Sequence, residues 1–210
     1  MDGNDQMRNV IKLLKERRSS RRAVIQLFDA ADLAEYHKGI PCTCTLQLMI
    51  RNDRLIMFTN MRSNDVFLGV PYDVFAFTMI QEIFARTLGV EVGTYKHAVG
   101  SLHLYEKNKN AARQYLKEGW QETVSMPPMP AGDPWPAIDV LLKAESEVRQ
   151  GKMADVAELK LDGYWADFVR LLQVFRHRKD RSATEITKLR KELSSEVYSA
   201  YIPQSLPAKK

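Results

Sequence analysis

Residues 74–88 carry apolar side chains nearly all the way round a helical wheel, with Phe75, Phe77, Met79, Ile80, Ile83, Phe84 and Leu88 among them. A helix without a polar stripe must be covered on most sides. The spacing therefore predicts a long, central, buried helix that Gly89 ends. What flanks it reads as sheet. Residues 40–50 and 54–59 alternate apolar and polar positions about an Arg51-Asn52-Asp53 turn, and residues 90–99 return as a further strand. Strands gathered around one long helix make the fold class α+β.

Other segments fill in around this centre. Residues 5–17 place Met7, Val10, Ile11, Leu13 and Leu14 on one face of an amphipathic opening helix. Residues 29–39 read as a short helix stopped by Gly39, and residues 108–119 as another helix. In residues 100–105 the alternation puts Ser101, His103 and Tyr105 on one face. Five prolines within residues 125–136 break regular structure and mark a boundary. Beyond them, residues 137–150, 153–160, 163–178 and 184–200 read as helices, with a solvated basic run at 176–181. The expected organisation is a core over 1–124, a Pro-rich linker over 125–136 and a helical extension over 137–210.

Composition narrows the partners. The formal charge of +5 permits weak attraction to nucleic acid, but arginines arranged for a small anion and a basic tail account for the excess. Nucleic acid ranks last. No apolar run approaches membrane-spanning length. The two cysteines, Cys42 and Cys44, alternate on a strand-like segment and point to opposite faces, so no disulfide joins them. A cytoplasmic setting is expected, and no metal site.

Chemistry concentrates in residues 61–73. Arg62-Ser63 offers a planar fork of donors beside a hydroxyl, which suits a phosphate monoester. Asn64 and Asp65 add an amide and a charge, Gly69 lets backbone approach a ligand, Pro71 stiffens the exit, and Asp73 stands at the mouth of the next helix, where it can cap. Each feature alone also fits a turn or a helix cap. Together with the Pro41-Cys42 pair they point to the wall of a small-molecule site.

Arg21-Arg22, Pro41-Cys42, Gln47, Arg62-Ser63-x-Asp65-Val-Phe-Leu-Gly69-x-Pro71, Asp73 and Gly100-Ser-Leu-His103-Leu-Tyr105 resemble, in order and spacing, the second half of the thymidylate synthase and pyrimidine hydroxymethylase superfamily. The resemblance spans residues 7–118 and implies that family's mixed sheet and long helix, followed here by added helices. It implies Cys42 as nucleophile, Arg21, Arg22, Arg62 and Ser63 as phosphate holders, and His103 and Tyr105 as sugar contacts. Asp65, Gly69 and Asp73 would lie near the base, with Asp65 also near the folate. Arg21 and Arg22 would reach across a two-fold homodimer. Met61, Asn64 and Thr43 depart from the family's usual glutamine, cysteine and histidine.

The implied reaction moves one carbon from 5,10-methylenetetrahydrofolate to carbon 5 of a pyrimidine nucleoside monophosphate, after a thiolate adds at carbon 6. An aspartate at 73, where the thymidylate-forming branch has asparagine, favours cytosine and a hydroxymethyl product. Thymidylate formation from dUMP is the first alternative. A non-catalytic nucleotide-binding or interaction protein is the second, because only twenty residues precede Arg21 and the family's catalytic groups from that region would have to come from a second chain.

Overall fold

The computed structural model describes residues 5–34, 39–120 and 123–202. They form two compact units divided between Gln121 and Glu122. In the first unit the order is α1 (Gln6–Glu16), β1 (Val24–Gln26), a 3-10 turn (Ala30–Leu33), β2 (Thr43–Arg51), β3 (Arg54–Met61), β4 (Asn64–Asp65), α2 (Gly69–Leu88), β5 (Glu91–Val99), β6 (Leu102–His103) and α3 (Lys109–Lys117). Residues 35–38, inside the expected 29–39 helix, lie outside the described residues.

Four strands make a mixed sheet in the order β1-β2-β3-β5. β1, β2 and β3 pair antiparallel, while β5 joins β3 in parallel after the α2 crossover. Asn52 and Asp53, both at positive φ, make the two-residue turn of the β2–β3 hairpin, the conformation that Asn and Asp tolerate best after glycine. One sheet face carries Leu46, Leu48, Ile50, Leu55, Met57 and Met61. These pack with Val10 and Leu14 of α1 and Phe77, Phe84 and Ala85 of α2 into one core.

The central helix differs from the sequence expectation in two ways. It begins at Gly69, so Pro71 lies in its first turn and Asp73 lies inside the helix rather than capping it. It is also buried on one face only. Phe77, Gln81, Phe84 and Ala85 are enclosed while Phe75 is 51% exposed.

Gln81 explains how that face meets the sheet. It is 1% exposed, and its Nε2 donates to the Leu55 carbonyl at 2.7 Å and the Gly93 carbonyl at 3.1 Å. The ladder slips at this level, since Leu55 stands opposite Val92 but Met57 stands opposite Tyr95, which leaves β5 with one extra residue. A Cβ on Gly93 would come within 2.8 Å of the Leu55 oxygen, so the bulge requires glycine. The amide of α2 thus satisfies carbonyls that the bulge removes from the ladder.

The second unit contains α4 (Trp135–Arg149), α5 (Gly163–Asp180), α6 (Ala183–Glu192) and a 3-10 turn (Glu196–Tyr201). α4 starts two residues earlier than expected, with Pro136 in its first turn, where a missing N–H costs nothing. Two expectations fail. Residues 153–160 are not helical: 156–160 form turns, because the Asp155 carboxylate accepts from the Ala157 N–H and Lys160 adopts positive φ. The helix expected over 184–200 breaks after Glu192. There the N–H groups of Ser194 and Ser195 donate to the two carboxylate oxygens of Asp167, each at 2.9 Å, instead of continuing the helix. No described helix is long and apolar enough to cross a membrane.

Replacing Gln81 by Leu is expected to lower the stability of the first unit by about 1–3 kcal/mol, because buried carbonyls lose their donors. Urea unfolding reads the change; an unaltered midpoint would contradict the role given to this amide.

Candidate functional site

The end of β3 and the start of β2 hold the expected nucleophile beside the expected phosphate group. Cys42 precedes β2 and is exposed. Its carbonyl accepts from the Arg62 N–H at 2.9 Å, so the two residues sit across from one another where the ladder begins. The Arg62 guanidinium reaches back over the same segment, with Nε donating to the Pro41 carbonyl at 3.0 Å and Nη2 to the Ile40 carbonyl at 3.1 Å. A guanidinium carries five N–H donors. With two committed, three remain for an anion. Cys44, by contrast, is half-buried, with its thiol 3.9 Å from the Cys42 carbonyl.

β4 and β6 bring up the next group. The Asn64 N–H donates to the Ser101 carbonyl at 3.0 Å, the Val66 N–H to the His103 carbonyl at 2.8 Å, and the Ser101 N–H to the Arg62 carbonyl at 3.1 Å. This short parallel pair sets Ser63 against His103, with Oγ and Nδ1 3.4 Å apart. The His103 and Tyr105 rings meet edge to face at 4.7 Å. Asp65 accepts from the N–H groups of Phe67 at 3.3 Å and Leu68 at 3.0 Å, so this residue, and not Asp73, steadies the backbone entering α2.

Arg21 and Arg22 do not join the group. Val24 pairs with Gln47 and the Leu48 N–H donates to the Ala23 carbonyl, which places the arginines level with the far end of β2. About seven residues of strand, roughly 23 Å at ~3.3 Å per residue, separate that level from Cys42. Within one chain these cations therefore lie far from the thiol. Both side chains are exposed, and the Arg21 carbonyl is held by Gln47 Nε2 at 3.0 Å.

Asp73 also has a different setting from the one expected. It precedes Phe77 and Gln81 at four-residue spacing, on the helix face turned to the sheet. A polar cluster that sequence reasoning missed lies there. Tyr95 Oη is 2.6 Å from His97 Nδ1, and His97 Nε2 is 3.2 Å from the Asn64 amide nitrogen. Asn64 is 5% exposed, and the same nitrogen lies 3.3 Å from Met61 Sδ. Burial pushes the Tyr95 phenol above its ordinary value; the Thr59 hydroxyl opposes that rise and the Asp73 carboxylate adds to it. The phenol therefore keeps its proton at neutral pH. The signal was present in the sequence, since Tyr95 and His97 alternate on one strand face, but nothing in it said which face meets α2.

Gly69 has a cause of its own. A Cβ there would fall 2.0 Å from Asn64 Oδ1 and 3.2 Å from Asn64 Cγ. The close approach that glycine permits is taken by this buried amide.

Comparison with known proteins agrees with the geometry. A profile of the thymidylate synthase family matches residues 1–164, and the chain belongs to that family. The match runs well past the residues on which the resemblance was noted and continues beyond the proline-rich stretch. Thymidylate synthases of Listeria monocytogenes serotype 4a (strain HCC23) and serotype 4b (strain CLIP80459) are each 27% identical to it over 164 residues, covering 78% of this chain and 46% of the relative. The chain thus spans about half the length of the curated relatives it matches.

Gly69→Ala is expected to cost about 1–3 kcal/mol through overpacking against Asn64. Shortening the neighbour in a Gly69→Ala, Asn64→Ser double variant should recover part of that loss in thermal unfolding, whereas an additive result would refute the contact as its cause.

Proposed function

We propose that this chain binds a pyrimidine nucleoside monophosphate and transfers one carbon to its carbon 5, with a cytosine nucleotide as substrate and a hydroxymethyl group as product. The observation that carries this reading is the exposed Cys42 thiol, set at a strand end that Arg62 ties down while keeping three N–H donors unused. A monophosphate resting on Arg62 and Ser63 leaves the sugar toward His103 and Tyr105 and the ring toward Cys42. The thiolate of Cys42 adds to carbon 6 and makes carbon 5 nucleophilic; once carbon 5 has bonded the one-carbon unit, loss of its proton and expulsion of the sulfur free the ring, and water supplies the oxygen of the hydroxymethyl group.

Methylenetetrahydrofolate, when bound, supplies the carbon at the oxidation level of formaldehyde. The residues present fit one edge of a pterin. Asp65 keeps lone pairs beyond its two N–H contacts, and Val66, Leu68 and Tyr72 beside it are exposed, an apolar shelf next to an acceptor for ring N–H groups.

Asp73 supports cytosine over uracil. A carboxylate accepts from an exocyclic amine, while opposite a uracil carbonyl it sets acceptor against acceptor, a penalty of about 1–3 kcal/mol. The separation of Arg21 and Arg22 from Cys42 supports a homodimer in which each chain lends its arginines to the other's nucleotide. The sheet face away from the core also suits such pairing, with Met49, Ile56 and Phe58 only half-buried on it.

Two measurements test the reading. Tritium should leave carbon 5 of labelled cytidine or deoxycytidine monophosphate in the presence of methylenetetrahydrofolate, and Cys42→Ala should abolish release while leaving binding in place. Tight binding without release would make the chain a nucleotide-binding module, and release from the uracil nucleotide alone would make it a thymidylate-forming enzyme. In calorimetry, Asp73→Asn should shift preference toward the uracil nucleotide by about tenfold. Equal preference for uracil in both proteins would overturn the base assignment.

A further inference from the structure

The second unit leaves an apolar trough between α4 and α5. At one end Leu141, Leu142, Phe168, Leu171 and Leu172 line a cavity of about 360 Å³, with Glu145 as its one polar wall residue. Leu172 and Glu145 also line a second cavity of about 240 Å³, which continues past Val148 and Phe175 to Arg149, Arg176 and Lys179. Residue numbers rise together along both walls, so the helices run the same way and the trough follows them. From Leu141 to Arg149 it extends about 12 Å, at 1.5 Å per residue, a little over two helical turns. Leu142 is 60% exposed and Phe175 61%. Isolated apolar residues on a surface are ordinary, but two large ones flanking an apolar trough mark a place where something binds.

The two ends of the trough differ in charge. Near its start Asp139 and Lys143 on α4 cancel. Near its end stand Arg149 and Lys152 with Glu145 and Glu147, and α5 closes with Arg176, Arg178, Lys179 and Arg181 against Asp180. Glu145 is taken by Arg149 at 3.1 Å and Asp180 by Arg176 at 3.0 Å, which leaves this end positive. The Lys179 ammonium lies over the Phe175 ring, 5.1 Å from its centroid, so a cation borders the apolar floor directly.

We propose that this trough docks an amphipathic helix of a partner protein, apolar at i, i+3 or i+4 and i+7 along one face and acidic in its first turn. Two parallel helices present a groove that a third helix fills by ridge packing, with about two turns of contact. A membrane surface would touch the rims and leave the floor empty. A second copy of the trough supplies no anions, because antiparallel pairing lays each basic end over a neutral one and parallel pairing lays basic on basic. Acidic residues favour a helix N-terminus, so the partner helix runs against α4 and α5 and brings its first turn over Arg176 and Lys179. No residue of the proposed nucleotide site takes part.

Selection of displayed helical peptides on the immobilised full chain tests this. Enriched peptides are expected to share the apolar spacing and an acidic first turn. The double variant Leu142→Ser, Phe175→Ser should weaken them about tenfold or more in solution. Arg176→Glu with Lys179→Glu should turn the selection toward Lys and Arg at the same positions. Circular dichroism checks that both variants fold, and Leu142→Lys alone, a change at an exposed rim residue, gives the apolar reading if the double variant does not. The proposal is overturned by a selection that enriches no helix, by peptides that bind the serine variant as well as wild type, or by indifference to the charge reversal. Phosphatidylcholine–phosphatidylserine vesicles that sediment the wild type but not the serine variant would assign the trough to a membrane instead. An oligomer seen in sedimentation velocity and lost in the serine variant would assign it to a second copy, and either result also overturns the proposal.

Discussion

The hold of Arg62 on the carbonyls of Ile40 and Pro41 is the interaction on which the site depends. Those carbonyls belong to a segment outside any strand, and without a donor the chain before β2 would have no reason to stay beside the end of β3. One side chain thus fixes the approach to Cys42 and offers its remaining donors at the same place. The backbone bond between Arg62 and Cys42 and the short β4–β6 pairing extend this order to Ser63, Asp65 and His103. Local hydrogen bonding, more than apolar burial, brings the polar groups together, which is why they are half-exposed yet well defined.

Much of the fold was legible because periodicity speaks plainly where a face is buried. The two strands about Asn52-Asp53, the amphipathic α1 and the long helix ended by Gly89 all follow from spacing and turn chemistry. Errors arose where a single polar side chain overrode the pattern. Asp155 diverts residues expected to be helical into a turn, and Asp167 captures the Ser194 and Ser195 N–H groups. Asp167 is 1% exposed and also meets Arg170 at 2.8 Å, so its need for donors outweighs another helical turn. Partners distant in sequence leave no local trace.

The site divides along the same line. Arg62 meets Cys42 where the β2–β3 ladder begins, and Ser63, His103 and Tyr105 meet along the β4–β6 pair, so residues adjacent within a motif were brought together by neighbouring backbone bonds. The cap reading open to Asp73 falls away because α2 starts earlier than the sequence suggested; the four-residue spacing to Phe77 and Gln81 already put Asp73 inside the helix. Where Arg21 and Arg22 stand along β2 was not legible, since strand register puts them level with its far end. Register between strands is a tertiary property, and no local pattern in the sequence states it.

The extra residue in β5 determines which side chains α2 encounters. If Met57 stood opposite Thr94 in an unbroken ladder, Thr59 would stand opposite Lys96, and an ammonium group and a small hydroxyl would be level with the core. Because the count shifts by one at Gly93, Tyr95 and His97 occupy those levels instead. Closing the bulge with no residue lost would exchange phenol and imidazole for hydroxyl and ammonium in one step, whereas deleting the extra residue would leave Tyr95 and His97 at their levels. The polarity behind the proposed base-reading carboxylate is therefore encoded as odd against even along a strand.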